Sequence, residues 1–159
     1  MRIIRLIYTS VARPGLPYSA LTSILRTAGA HNASHAITGM LCYTGDAFLQ
    51  VLEGHRSDVS RLFNRIARDE RHGACELLSV SETTTRKFAD WSMKLVRCDD
   101  TPAASARRAV LLRHTEAAPL DVRALSAVAA LSFVSELAVL ERAPRLPNKL
   151  VTRRPSRTV

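Results

Sequence analysis

The stretch Ala36–Gly54, AITGMLCYTGDAFLQVLEG, decides the fold. It reads as two strands, Ala36–Tyr43 and Ala47–Glu53, joined by a turn at Gly45-Asp46. Strand side chains alternate between faces, so Phe48, Gln50 and Leu52 point one way and Leu49, Val51 and Glu53 the other. Gln50 is therefore expected on a buried face, between two large apolar residues. A buried amide left unpaired costs roughly 1–3 kcal/mol, so Gln50 needs partners. It carries an acceptor oxygen and two donor hydrogens and can bridge two unlike groups. From the strand alone, ordinary partners such as backbone groups or a water account for Gln50 as well as a functional reading does.

Outward from this hairpin the pattern repeats. Arg2–Ser10 is a strand, with Ile4, Leu6 and Tyr8 on one face and Ile3, Arg5 and Ile7 on the other. The Pro- and Gly-bearing segment Val11–Pro17 is a loop. A helix is predicted over Tyr18–Ala30, its apolar positions Leu21, Ile24, Leu25 and Ala28 following i, i+3, i+4, i+7, with Gly29 marking its end and His31-Asn32 just beyond. After the hairpin, Ser57 is the expected N-cap of a helix over Asp58–Arg68, with Asp58 favourable to the dipole. Val59, Leu62, Phe63 and Ile66 form its apolar face; Arg61, Arg65 and Arg68 lie mainly opposite, as a phosphate-binding stripe or as a solvated face. Further strands are predicted over Cys75–Glu82 and Phe88–Arg97, the latter with Trp91, Met93 and Leu95 on one face. The order strand, helix, strand, strand, helix, strand implies an α+β fold: a ferredoxin-like sheet, five-stranded with the last strand added, and two helices on one face.

From Thr101 the composition turns Ala-rich. Ala103–Thr115 and Leu120–Glu141 read as an antiparallel helical pair broken around Ala117–Pro119. Ala124–Leu140 is apolar nearly all round and must be covered by the sheet or by another subunit, which makes a homo-oligomer expected. The chain is thus divided into a sheet domain at 1–100, a helical cap at 101–141 and a tail at 142–159.

Charge follows that division. The net charge is +9, and residues 142–159 hold six Lys/Arg and no acidic residue, or +6 of it, with three prolines. The tail is expected to be disordered, and the basic total says little about the folded part. No apolar run reaches the roughly 18–20 residues of a membrane span, and Arg5 interrupts the N-terminal apolar run that a signal peptide would need, so a cytoplasmic protein is expected. Cys42, Cys75 and Cys98 match no metal spacing, and His31, His35 and His72 have no supporting thiol or carboxylate cluster in the sequence; small buried or half-buried thiols and no metal are expected.

Tyr8, Asn32, Gln50 and Trp91, with Met93, stand out as polar or aromatic residues on the first strand, after the first helix, on the third strand and on the fifth, and Tyr8 and Gln50 lie on strands that neighbour each other in this topology. Here the sequence resembles the BLUF domains, blue-light sensors that use FAD. The matching stretches are LIYTS, AHNASHAITGMLCYTGDAFLQVLEG, RLFNRIARDERH and FADWSMKL, in one order over residues 1–98. The resemblance implies a flavin ring between the two helices, with Asn32 on its polar edge, Arg65, Asp69 and His31 as neighbours, and Ile24, Leu25, Ile37, Phe48, Leu52 and Ile66 as walls. It further implies that Tyr8 gives an electron and a proton through Gln50, that Gln50 rotates or tautomerises, that absorption shifts to the red, and that Trp91 and Met93 pass the change onward. A phenol can supply both particles, and an amide can exchange donor and acceptor ends where a leucine cannot. With no nucleophile–base pair, output is expected through a protein partner rather than through enzymatic turnover. A basic nucleic-acid-binding module is the alternative, with the tail as its contact, but the chain lacks a run of exposed sheet aromatics for stacking bases. A small flavoenzyme would need a substrate path and an acid or base that the sequence does not display.

Overall fold

The structure is a computed structural model and describes residues 2–115 and 121–143. Its elements are β1 (Ile3–Ala12), α1 (Tyr18–Ser34), β2 (Thr38–Tyr43), β3 (Ala47–Gly54), α2 (Arg56–Ile66), β4 (His72–Thr83), β5 (Lys94–Arg97), α3 (Ser105–His114) and α4 (Ala127–Arg142). The sheet runs β4-β1-β3-β2-β5. β1 pairs antiparallel with both β3 and β4, β2 antiparallel with β3, and β5 lies parallel to β2 at the edge. This is the expected ferredoxin-like arrangement with one added strand.

Alternation along the strands builds two cores. Ile4, Leu6, Tyr8, Phe48 and Leu52 pack beneath Leu21 and Ile24 of α1 and Val59 and Leu62 of α2. Ile7, Met40, Leu49 and Val51 face the other way and pack against Val110 and Leu111 of α3 and Phe133, Val134 and Leu137 of α4. β1, β3 and β2 are therefore clad on both faces, while the edge strand β4 leaves Leu77 and Val80 exposed. The apolar stripe of α4 finds its cover within the chain, so burial alone no longer calls for a second subunit; Val128 and Val139 stay exposed.

Local boundaries differ from the sequence reading, each for a visible reason. Gly29 does not end α1. A mid-helix glycine costs only about 1 kcal/mol against alanine, and the helix runs on to Ser34, so Asn32 lies within it. The chain turns instead at Ala36, whose φ of 49° lies in the left-handed region. That backbone is held from outside: the Arg86 guanidinium donates to Ala36 O (2.7 Å), Thr38 Oγ1 (2.9 Å) and Glu53 O (2.7 Å). Ser57 is not the N-cap of α2. His55 holds the extended cap position, and Ser57 Oγ hydrogen-bonds its Nδ1 at 3.0 Å. Asp58 does sit in the first turn. The last strand is four residues rather than ten, because Phe88–Trp91 folds into a turn, with Trp91 N–H on Phe88 O. On the C-terminal side, Ser126 caps α4 by accepting from Ala129 N–H (3.2 Å), and a short 3-10 turn at Val122–Ala124 precedes it. The expected break at Ala117–Pro119 lies outside the described residues, as does the tail beyond Ala143.

One glycine is required sterically. A Cβ on Gly39 would stand 2.1 Å from Val51 O of the paired strand, while Gly39 N–H donates to Trp91 O at 3.0 Å. Gly39→Ala must push β2 from β3, and we expect a loss of about 1–3 kcal/mol, the usual cost of overpacking. Thermal melting of the variant checks this; an unchanged Tm would contradict it.

Candidate functional site

Register brings the central pair together. Tyr8 of β1 lies directly opposite Gln50 of β3. The Tyr8 hydroxyl donates to Gln50 Oε1, and Gln50 Nε2 donates to Met93 Sδ at 3.3 Å. The amide thus bridges a phenol and a thioether, using one end for each. Tyr8 is fully buried, its ring edge-on to Phe63 with centroids 5.1 Å apart. Burial first, then the Cys75 and Asp69 charges, pushes its pKa well above the ordinary phenol range, so it holds its proton and acts as a donor.

Above Gln50 a cleft opens between α1 and α2. Ile24, Thr27, Ala28, His31 and Asn32 line it from α1, Leu62, Arg65 and Ile66 from α2, and Leu41 and Gln50 form its floor; Asp69, Arg71 and His72 close one end. Asn32 is fully buried. Its Nδ2 donates to Ser92 O at 2.9 Å, but its Oδ1 has no partner. A buried acceptor without a donor is costly, and this one belongs beside a cleft that admits a ligand. Such an oxygen suits the N–H of a flat ring whose edge alternates N–H and C=O, with Arg65 available to a ring carbonyl.

Of the residues expected at the site, Ile24, His31, Asn32, Gln50, Arg65, Ile66 and Asp69 line the cleft. Ile37, Phe48 and Leu52 do not line it: they are buried in the core on the same face of the sheet. Trp91 is also displaced. The turn at Phe88–Trp91 breaks the period of two, so Trp91 packs against the core of α3 and α4, while Met93 stays on the Tyr8 side. Thr27, Ala28, Leu41, Leu62, Arg71 and His72 are lining residues that the sequence reading did not assign. Continuing the α1 period through Gly29 would have found several, since Ala28 falls between Ile24 and Asn32 at four-residue steps.

The end of the cleft is held by ion pairing. Arg71 N–H and Nε–H donate to Asp69 Oδ1 at 2.9 and 2.8 Å. These bonds bring the Asp69 carboxyl to a pKa of about 2. His72 is buried over Phe48 (ring centroids 4.7 Å), with Nδ1 and Ser10 Oγ 3.0 Å apart. Burial lowers its pKa from 6.5 to about 4. The unfolded imidazole accepts a proton near pH 6.5 that the folded one refuses until about 4, so acid favours the unfolded state across that window. We expect a loss of about 2 kcal/mol between pH 7 and pH 5. Asp69, already ionised above its unfolded pKa in this range, adds no slope. Urea titrations at the two pH values check the loss, and His72→Gln should flatten it.

Fold and cleft together define a small ferredoxin-like protein that seats a flat, polar-edged aromatic cofactor between two helices over a Tyr–Gln pair. Residues 3–94 match the family model "BLUF: Sensors of blue-light using FAD", and the chain belongs to that family. It is 33% identical over 91 residues to a photoactivated adenylate cyclase subunit beta of Euglena gracilis, an alignment covering 57% of this chain and 11% of that one. It is 30% identical over 90 residues to the blue light- and temperature-regulated antirepressor BluF of Escherichia coli K12, covering 57% and 22%. The chain therefore spans about a tenth and about a fifth of these relatives. Among solved structures it resembles the ground state of BlsA (TM-score 0.77, 28% identity, 89% of this chain and 91% of that one). It also resembles the dark state of BlrB, a BLUF protein (TM-score 0.68, 31% identity, 86% and 97%). FAD is the chromophore of this family.

Proposed function

We propose that this chain is a cytoplasmic blue-light receptor that holds FAD non-covalently between α1 and α2 and signals to a protein partner. The observation that carries the reading is the chain of hydrogen bonds from Tyr8 through Gln50 to Met93 at the floor of a cleft beside the unpartnered Asn32 oxygen. When bound, the flavin supplies a blue-light-absorbing ring whose excited state takes an electron. The protein's part is the rest. Asn32 and Arg65 orient the ring edge, and Ile24, Leu62 and Ile66 exclude water from it. Tyr8 holds a proton and an electron ready, with Gln50 Oε1 placed to accept the proton. The amide has two arrangements, related by rotation or tautomerisation, which would bond Tyr8 and Met93 differently.

The route outward starts at Met93, one residue before β5. Trp91, two residues earlier, packs on the core of α3 and α4, and the Arg142 guanidinium at the end of α4 lies 5.0 Å from its ring centroid. Arg142 Nε–H also donates to Asp90 Oδ2 (2.6 Å), and Glu141 pairs with Lys94 (3.1 Å). The end of α4 is thus fastened to the segment that Met93 adjoins, and a partner that reads α4 reads that segment. No helix among the described residues is long and apolar enough to cross a membrane.

A sensor fits better than either alternative. Tyr8 and Gln50 are 0% and 4% exposed, out of reach of a second substrate. Helices cover both faces of β1, β3 and β2, and the open strand β4 presents Leu77 and Val80 rather than a run of aromatics on which bases could stack. The test is spectroscopic: identify the chromophore released on denaturation, then record absorption before, during and after blue light. FAD and a reversible red shift support the reading. Colourless protein that also fails to take up added flavin overturns it.

A further inference from the structure

Two of the three cysteines meet. Cys42 on β2 and Cys98, the residue after β5, hold their sulfurs 3.3 Å apart in the core beneath α3 and α4, and both are free thiols. Parallel pairing sets Cys42 opposite Val96, and alternation turns Cys98 to the same side as Val96. The backbone is fixed beside them, because Cys98 N–H donates to Tyr43 O at 2.8 Å. Cys75 packs on the other face of the sheet, with the Tyr8 core, and reaches neither. Among the described residues no group of three His, Cys, Asp or Glu side chains could hold a metal ion, so the two thiols are not part of a metal site.

The contact has a direction. Cys42 gives its S–H to Cys98 Sγ. That bond, and then burial, push the Cys42 thiol well above its ordinary range; Arg107 counters them and Asp99 adds to them. Cys42 thus keeps its proton and the Cys98 sulfur is the accepting end. A disulfide bond is about 2 Å long, so the sulfurs need to close by roughly 1.3 Å. β5 can supply that shift: it is a four-residue edge strand, paired on one side only.

We propose that Cys42 and Cys98 form a redox pair, which hydrogen peroxide closes to a disulfide and a thiol reductant reopens, and that the closed bond ties β5 to β2. The Cys98 sulfur attacks the O–O bond, gives up two electrons and becomes a sulfenic acid, and its proton leaves with the other oxygen as water. The Cys42 sulfur then attacks that sulfur and expels the hydroxyl, which takes the Cys42 proton and leaves as a second water. A reversible bond of this kind suits a reducing compartment, where disulfides are transient and redox-sensing. β5 begins one residue after Met93, and Lys94 within it pairs with Glu141 of α4 at 3.1 Å. The bond therefore restrains the route from Gln50 to the cap and leaves the Tyr8–Gln50 pair untouched. That consequence rests on the light-sensor reading above; the disulfide itself does not.

The experiment uses the full 159-residue chain loaded with FAD, reduced, freed of reductant and treated with hydrogen peroxide. Remaining thiols are blocked with N-ethylmaleimide after denaturation, and the peptides are mapped by mass. A linked Cys42–Cys98 peptide should accumulate, Cys75 should stay outside it, and dithiothreitol should release both thiols. Cys42 and Cys98 both recovered as blocked thiols, or a link to Cys75, overturns the pair. Under blue light the reduced and oxidised proteins should show the same red shift. The light-induced change in amide hydrogen exchange over β5 and α4 should be about twofold smaller in the oxidised protein, and dithiothreitol should restore it. Equal changes in the two forms overturn the restraint. Peroxide can also oxidise Met93, but dithiothreitol does not reverse that. Cys98→Ala separates the two further: peroxide should leave its exchange unchanged, and an effect that persists there overturns the assignment to the pair. A chain that takes up no flavin removes the sensor reading and the restraint, while the peptide map of the wild type still decides the disulfide.

Discussion

Tyr8→Phe is expected to bind flavin at full occupancy and to show no light-induced red shift. Phe keeps the ring and its edge-on contact with Phe63, so packing is nearly unchanged. What disappears is the hydroxyl that donates to Gln50 Oε1. The amide oxygen then loses a partner in a buried site, at a cost of about 1–3 kcal/mol, and the phenol that bonds Gln50 is gone. If the response needs a proton and an electron from that phenol, no weaker version of it remains, so the loss should be complete rather than graded. Fluorescence should rise, because the excited state has lost its nearby electron donor. Gln50→Leu should fail equally for the complementary reason, since leucine neither donates nor accepts. Asn32→Ala should instead lower affinity, by removing the unpartnered acceptor beside the cleft. Absorption spectra of the three variants, normalised to bound flavin, separate these outcomes. An intact red shift in fully occupied Tyr8→Phe would remove Tyr8 from the mechanism.

This pair was legible because two short-range rules sufficed. Alternation put Phe48, Gln50 and Leu52 on one face, and the β-α-β-β-α-β order made β1 and β3 neighbours; the observed Tyr8–Gln50 register follows from both. What the same rules missed shows their reach. Alternation assigns a face but not a place along it, so it marks Ile37, Phe48 and Leu52 as walls when they pack in the core on that face without lining the cleft. Alternation also needs an unbroken strand, and the turn at Phe88–Trp91 sends Trp91 to the opposite side from Met93. Gly29 reads as a stop because local propensity disfavours glycine in helices, but packing of α1 on the sheet outweighs a term of about 1 kcal/mol. Least legible was the polar side of β3. Glu53 and Arg5 were assigned correctly to the other face, yet nothing local says that they meet there and lose their water together.

Glu53→Leu is expected to be the most destabilising of these substitutions, by about 3–5 kcal/mol, because it breaks one partner from a buried ion pair. Glu53 and Arg5 are register partners on β3 and β1, joined by Arg5 Nε–H to Glu53 Oε1 at 2.7 Å, with side chains 0% and 9% exposed. The carboxylate does more than balance the guanidinium. Its Oε1 accepts from Lys87 N–H at 3.0 Å and its Oε2 from Phe88 N–H at 3.1 Å, while Arg5 Nη2 donates to Thr85 O at 3.2 Å. One charge pair therefore anchors the segment from Thr85 to Phe88 to the centre of the sheet. Leucine leaves a buried cation without its counter-charge, keeping only its bond to Thr85 O, and leaves two backbone amides without acceptors. Arg5→Met should cost less, because Glu53 keeps both amide donors. The double variant Arg5→Met/Glu53→Leu should recover part of the loss, since no unpaired charge remains, but not all of it, since the two amides are still unmatched. Urea unfolding of the wild type and the three variants gives the full cycle. A Glu53→Leu protein within about 1 kcal/mol of the wild type would contradict the argument. The light response tests the same anchor by another route. Tyr8 and Gln50 lie on the opposite face and keep their own bond, so any change in the red shift per bound flavin must come through the segment that leads from Phe88 to Met93.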